Sequence, residues 1–301
     1  MTEENKEKNF KKRFGKFYDS FYKILLLIPL IIIIFSFVYM GIFYSNNGDF
    51  IFKDFSLTGG TSITLIGKVD ASLLEETLFR SLDELNTRVV YDITTGEQTS
   101  LIVQTKTNSD EAIKILESYL GYPLNDENSS VEFISATLSE DFYRQLLFAI
   151  LIAFLFMAIV IFLIFRNFLP SAAVVISAFA DILMTLTLVN ILGIKMSSAG
   201  IVAFLMLIGY SVDTDILLTN RVLKRLDGTI NEKIFSAFKT GMMMSLTSLV
   251  ALAFALVVSS FFSVILAQIF TILVIGIGFD IFNTWVTNAS LLKWYMTKKQ
   301  K

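Results

Sequence analysis

"GIVAFLMLIGYSVDTDILLTNR" occupies positions 200–221, and how it is read decides the fold. Its first nine residues carry no polar side chain, as a helix crossing a bilayer requires. Two carboxylates, Asp213 and Asp215, then follow near one end. An acid at the centre of a spanning helix costs about 2.5–3.5 kcal/mol. Acids in such a place point to a function or to a compensating partner.

The rest of the chain supports a membrane reading. Hydrophobic residues make up 54% of it, with a mean hydropathy of +0.65. Six apolar stretches are long enough to span, over 23–44, 145–165, 171–192, 197–219, 235–259 and 262–290. The first is too long for a secretory core and lacks a small-residue cleavage site, so it reads as an uncleaved anchor. Placing the N-terminus inside puts 17 of the 25 lysines and arginines on the inner side, and every short inner loop is then the basic one. The expected organisation is a basic cytoplasmic N-terminus (1–22), a first helix (23–44), an external domain (45–144), a five-helix bundle (145–292) and a cytoplasmic C-terminus (293–301). This is an α-helical polytopic protein of the cell membrane, embedded in lipid.

With no cysteine and no histidine, thiolate and imidazole metal sites, disulfides and histidine catalysis are excluded. No GxxxxGK[ST] stretch encodes a nucleotide-hydrolysing loop. The reading is of a non-enzyme without cofactor or metal.

Residues 45–144 alternate between patterns. "TSITLIG" (61–67), "TRVVYDI" (87–93), "SLIVQTK" (100–106) and "VEFISAT" (131–137) read as strands. "DASLLEETLFRSLDEL" (70–85) and "SDEAIKILESYL" (109–120) read as helices with Asp70 and Ser109 as N-caps. The order β-α-β-β-α-β is the ferredoxin-like unit, whose sheet keeps one face free of helices. Seventeen acidic residues against seven basic ones in this span argue against nucleic acid as a partner. Further on, "TNRVLKRLDGTINEK" (219–233) reads as an interfacial helix ending at Gly228.

Four carboxylates fall inside spans: Asp181, Asp213, Asp215 and Asp280. Ser177, Asp181 and Thr185 stand four apart on one stripe, while Gly276, Asp280, Asn283, Thr284 and Thr287 line another. Lys239 lies at a similar depth on the fifth span. Facing helices would join these groups into one polar seam, serving either as hydrogen-bonding glue or as a proton relay. Asp213 is the first choice for the relay, because Gly209 one turn away admits another helix. A pair between Lys239 and Asp213 is expected to couple energetically.

The motifs also carry a resemblance. "GYSVDTDILLTNRVLKR", with Gly209, Tyr210, Ser211 and Arg221, resembles the fourth-span signature of the SecD/SecF protein-export membrane proteins, of the resistance-nodulation-division (RND) superfamily. "DFSLTGGTSITL" (54–65), with Gly59, Gly60 and Thr61, is similar to that family's Gly-Gly-Thr signature, and "ISATLSEDFYRQ" (134–145) to its lead into the second span. Six spans with one modest domain resemble the SecF branch. The "SVDTD" spelling is similar to the archaeal style, whereas bacterial members typically place their Asp where Thr214 stands. The resemblance implies a subunit acting with SecD beside the SecYE-type channel, assisting a translocating preprotein and coupled to the proton gradient. The alternatives are an RND-type small-molecule or lipid exporter working as a dimer, and an aspartyl protease using Asp213 and Asp280, whose flanking signatures are absent.

Overall fold

The computed structural model describes residues 3–92, 94–224 and 227–299, with side chains from residue 13 onward. Six helices in it are long and apolar enough to cross a membrane. The first, α1, runs from Glu3 to Asn47. After a short helix α2 (Phe55–Thr58) come β1 (Gly60–Ile66), α3 (Ala71–Leu78), β2 (Asn86–Tyr91), β3 (Gln98–Thr105), α4 (Ser109–Leu120) and β4 (Ser129–Ile134). The remaining spans are α5 (Ala136–Phe165), α6 (Phe168–Ile191), α7 (Ser198–Lys224), α8 (Ile230–Ser259) and α9 (Val264–Phe282). A π-helical segment (Asn283–Asn288) joins α9 to α10 (Ala289–Lys299).

The four strands form one antiparallel sheet in the order β2-β3-β1-β4, the ferredoxin-like arrangement. Alternation sorts its residues. Ile63, Leu65, Leu101 and Val103 are buried against Leu74, Leu78, Ala112 and Leu116 of α3 and α4. Ser62, Thr64, Arg88, Ile102 and Gln104 face the other way, over the bundle. The Asp70 side chain accepts from the Leu73 N–H at 3.1 Å, capping α3. Asn108, rather than Ser109, caps α4, accepting from Asp110 N–H at 3.3 Å.

Several boundaries move. α3, expected to run to residue 85, stops at Leu78, where the chain tightens into a turn with Ser81 N–H donating to Leu78 O at 2.9 Å, and Glu84 beyond it has a φ of 49°. Residues 135–137 leave the last expected strand, because Ser135 caps α5 by accepting from Leu138 N–H at 3.2 Å. Residues 219–224 continue α7 instead of forming an interfacial helix. Thr229 and Glu232 form a capping box that opens α8; Arg225 and Leu226 lie outside the described residues, as does Ile93 at the end of the second expected strand.

The domain is fastened to one end of the bundle, its domain end. Between α1 and α2 the chain runs beside the α6–α7 turn: Met196 N–H donates to Phe52 O at 2.6 Å and Asp54 N–H to Met196 O at 2.8 Å. Asn190 Nδ2 donates to Phe50 O at 2.8 Å. Asp49 pairs with Lys53 at 2.6 Å and accepts from Tyr143 of α5 at 2.7 Å, with the Lys53 ammonium 4.1 Å from the Tyr143 ring centre. Gly59 and Gly60 have φ of 80° and 144°. A Cβ at Gly59 would lie 2.5 Å from Ala136 N, and one at Gly60 2.5 Å from Thr105 O. The glycine pair therefore lets the chain pass between α5 and β3, which only residues without a side chain can do.

Within the bundle α6, α7 and α9 are central. Small residues on α6, among them Ser171, Ala173, Ser177, Ala178 and Ala180, are buried and let its neighbours approach. α1, α5 and α8 turn long apolar faces outward, with Leu151, Phe156 and Leu163 on α5 and Val250, Phe254 and Val257 on α8 exposed. Faces of this size and polarity suit lipid, where the helix satisfies its own backbone.

Candidate functional site

Three of the four expected intramembrane acids converge. Asp181 on α6, Asp215 on α7 and Asp280 on α9 are each 0–2% exposed, where the central helices pack together. Asp181 accepts from Ser211 of α7 and, at 2.6 Å, from Asn283 Nδ2. Asp215 Oδ1 accepts from Thr284 at 2.9 Å and from Asn288 Nδ2 at 2.8 Å. Thr284 also lies 3.3 Å from Asp280 Oδ1, so one hydroxyl serves two carboxyls. Thr287 donates to Asn283 Oδ1 at 3.0 Å, fixing the amide that reaches Asp181. Asp280 faces Asp181, Asp215 and Ser211.

The π-helical segment supplies four of these groups. Its wider turn brings Asn283, Thr284, Thr287 and Asn288 to the buried side together, and all four are buried. Such segments are rare in proteins and concentrate at functional sites.

Two features define the chemistry. Among the described residues the one buried cation is Lys293, and it pairs with Asp19 at 2.6 Å toward the end of the bundle remote from the domain. Among the described residues no lysine or arginine pairs with the three carboxyls. Several buried polar atoms also lack a partner, including Asp215 Oδ2, Ser177 Oγ and Asn288 Oδ1. Carboxylates buried together with no cation beside them are costly. The described acids do not gather closely enough to hold a metal ion.

The structure separates the other expected residues from this cluster. Asp213 and Lys239 are both exposed, and neither joins the three acids. Two residues apart on a helix means about 200° of rotation, so Asp213 and Asp215 point to opposite sides. Gly209 admits no helix of this chain, since nothing lies within 4 Å of its Cβ position. Tyr210 is exposed beside it. Arg221 staples α7 to α8, donating to Ser236 O and, at 2.9 Å, to Ser236 Oγ. Gly59 and Gly60 form the narrow passage at the base of the domain, and Thr61 donates to Thr107 O at 2.7 Å.

Two members of the site escaped the seam read from sequence. Asn288 continues the four-residue row Asp280–Thr284, and Ser211 begins the row Ser211–Asp215–Thr219, which is wholly buried. Extending each stripe by one more turn would have found them.

Comparison with known proteins agrees with this architecture. The family model described as "Protein export membrane protein SecD/SecF, C-terminal" matches residues 114–298. The chain is 41% identical over 251 residues to the protein-export membrane protein SecF of Methanocaldococcus jannaschii, covering 82% of this chain and 88% of that one. It is 35% identical over 260 residues to SecF of Pyrococcus furiosus, covering 85% of each. In fold it is similar to the crystal structure of SecDF, a translocon-associated membrane protein from Thermus thermophilus, with a TM-score of 0.71 and 18% identity over 92% of this chain. The chain spans only 38% of the length of that protein. The family match, the two relatives and the six-helix architecture lead to one conclusion: the chain is a multi-pass membrane protein of the SecF family, a SecF-type protein-export subunit.

Proposed function

We propose that this chain converts proton movement through the Asp181–Asp215–Asp280 cluster into motion of the domain at residues 45–144, which assists a translocating preprotein on the outer face. The termini are then cytoplasmic and the domain external, as the distribution of basic residues implies. The observation that carries the reading is mechanical. Asp181 sits on α6 and Ser211 and Asp215 on α7, and the turn joining these two helices is hydrogen-bonded to the strand entering the domain through Phe52, Asp54 and Met196. A change of protonation that shifts α6 against α7 reaches the domain through that turn.

The preprotein has a place to lie. A cleft of about 670 Å³ separates the helix-free face of the sheet from the domain end of the bundle, lined by Ser62, Thr64, Arg88, Gln104, Lys195 and Gln268 among others. With apolar Ile102, Ile194, Val264 and Ile265 beside these polar groups, the surface suits an unfolded chain of varied sequence. The partner SecD covers the α7 face bearing Val202, Met206, Gly209, Tyr210 and Asp213, where an intramembrane acid is otherwise exposed to lipid. The complex works beside a SecYE-type channel.

Affinity isolation of the tagged chain tests the assignment, with a photo-crosslinker at Met206 to test the contact face. Capture of SecD, crosslinked at Met206, is expected. Recovery of the chain crosslinked only to itself would overturn the reading in favour of a dimeric exporter. Proton coupling is tested separately, by asking whether export in vesicles collapses when the pH gradient alone is dissipated. Export that is indifferent to that gradient would remove the proton from the mechanism.

A further inference from the structure

Something must hold the last spanning helix in its widened form at Asn283–Asn288. In an α-helix the Ala289 N–H would donate to Trp285 O, four residues back. Here it donates to Thr284 O, five residues back, so the Trp285 carbonyl loses its ordinary partner. The residue is buried, and a buried carbonyl is rarely left unpaired. The missing donor comes from the far end of the chain: the Tyr18 hydroxyl of α1 donates to Trp285 O. Tyr18 is 5% exposed, packs on Phe14 with ring centres 4.8 Å apart, and has the Lys293 ammonium 5.8 Å from its ring. On the other side the Trp285 indole occupies the notch left by Gly241, where a Cβ would come within 2.6 Å of the ring.

We infer that Tyr18 is a positioning residue for the carboxylate cluster: its hydroxyl holds the π-helical turn open at Trp285, and that turn aims Asn283, Thr284 and Asn288 at Asp181, Asp280 and Asp215. The inference rests on the proton reading of the cluster. Tightening the segment to an α-helix would turn the residues beyond it by about 100° relative to Asp280. Asn288 and Thr284 could not then both keep their bonds to Asp215. α1, none of whose described side chains enters the cluster, would thus govern its hydrogen bonding.

The test compares the full chain in lipid bilayers with Tyr18→Phe, which keeps the ring and removes only the hydroxyl. The protonated-carboxyl band in the infrared is followed against pH. Tyr18→Phe is expected to displace the titration midpoint by roughly half a pH unit or more, because the donors to the charged form have moved. Asp19→Asn, which breaks the neighbouring pair with Lys293, is expected to leave it in place. An unchanged midpoint in Tyr18→Phe overturns the inference while leaving the proton reading intact. A parent protein whose buried carboxyls do not titrate overturns both. A second measurement keeps Tyr18 in place and so does not depend on Tyr18→Phe folding. The chain has two tryptophans, so carbonyl-labelled tryptophan in Trp294→Phe reports Trp285 alone. A hydrogen-bonded carbonyl frequency is expected there, and a free-carbonyl frequency overturns the inference.

Discussion

Replacing Asp215 separates its charge from its hydrogen bonds. Its Oδ1 accepts from Thr284 and Asn288, while its Oδ2 is buried without a partner, and Ser177, whose own Oγ is unpartnered, faces it. In Asp215→Asn the retained carbonyl keeps both bonds, and the new amide donates toward Ser177. The buried charge disappears and an orphan gains a partner, so stability should be unchanged or raised by about 1 kcal/mol. Asp215→Ala differs. Thr284 can turn to Asp280 at 3.3 Å, but Asn288 Nδ2 is left with no acceptor. One stranded buried donor costs about 1–3 kcal/mol, and the small void adds to it. Thermal unfolding in bilayers should therefore rank Asn at or above the parent and Ala below it. Export should fail in both, since neither carries a proton. Asp213→Asn, on the exposed face, should leave the isolated chain's stability within about 0.5 kcal/mol. An Asp215→Asn chain less stable than Asp215→Ala would refute the hydrogen-bond accounting. Normal export by Asp215→Asn would refute the role of this residue in proton transfer.

Gly276 and Gly278 should respond in opposite directions to alanine. A Cβ at Gly276 would lie 2.5 Å from buried Leu207, costing about 1–3 kcal/mol by overpacking, whereas Gly278 faces open space and should gain up to about 1 kcal/mol of helix propensity; equal melting shifts would contradict the α7–α9 packing. At the base of the domain, burial pushes the Asp49 carboxyl up, but hydrogen bonds from Lys53, Tyr143 and the Phe50 N–H outweigh it and hold it below its ordinary 3.8. The clamp's contribution is then full above that ordinary value and is lost as pH falls through the lowered one. Protection from hydrogen exchange at residues 49–54, taken relative to the intrinsic rate at each pH, should fall in acid in the parent and be nearly flat in Asp49→Asn; parallel profiles would remove Asp49 as the cause. Residues 48–136 expressed alone contain the whole sheet core around Ile63, Leu65, Leu101 and Val103, and should melt cooperatively with mixed helix and sheet signals. A gradual, featureless melt would show that the core depends on the bundle.

The sequence by itself was enough for the six long helices and the order of the strands. Apolar runs of spanning length place the six helices, because lipid admits little else. Period-two and period-four patterns place the β-α-β-β-α-β domain, and the stripes around Asp181 and Asp280 announce a polar seam. Local signals blurred at ends, where Ser135 settles one boundary by capping, and at 219–224, which continue α7 where an interfacial helix was expected. Tertiary structure alone decided which acids meet. Asp213 and Asp215 are equivalent in type and depth, and Gly209 made the first of them attractive. The rotation of α7 against α6 and α9 buries Asp215 and leaves Asp213 outside, and that rotation is set by packing such as Leu207 against Gly276. The π-helical turn is likewise invisible in the sequence order. It exists through contacts between residues as far apart as Tyr18 and Trp285, and a pattern read along the chain carries no record of a partner 267 positions away.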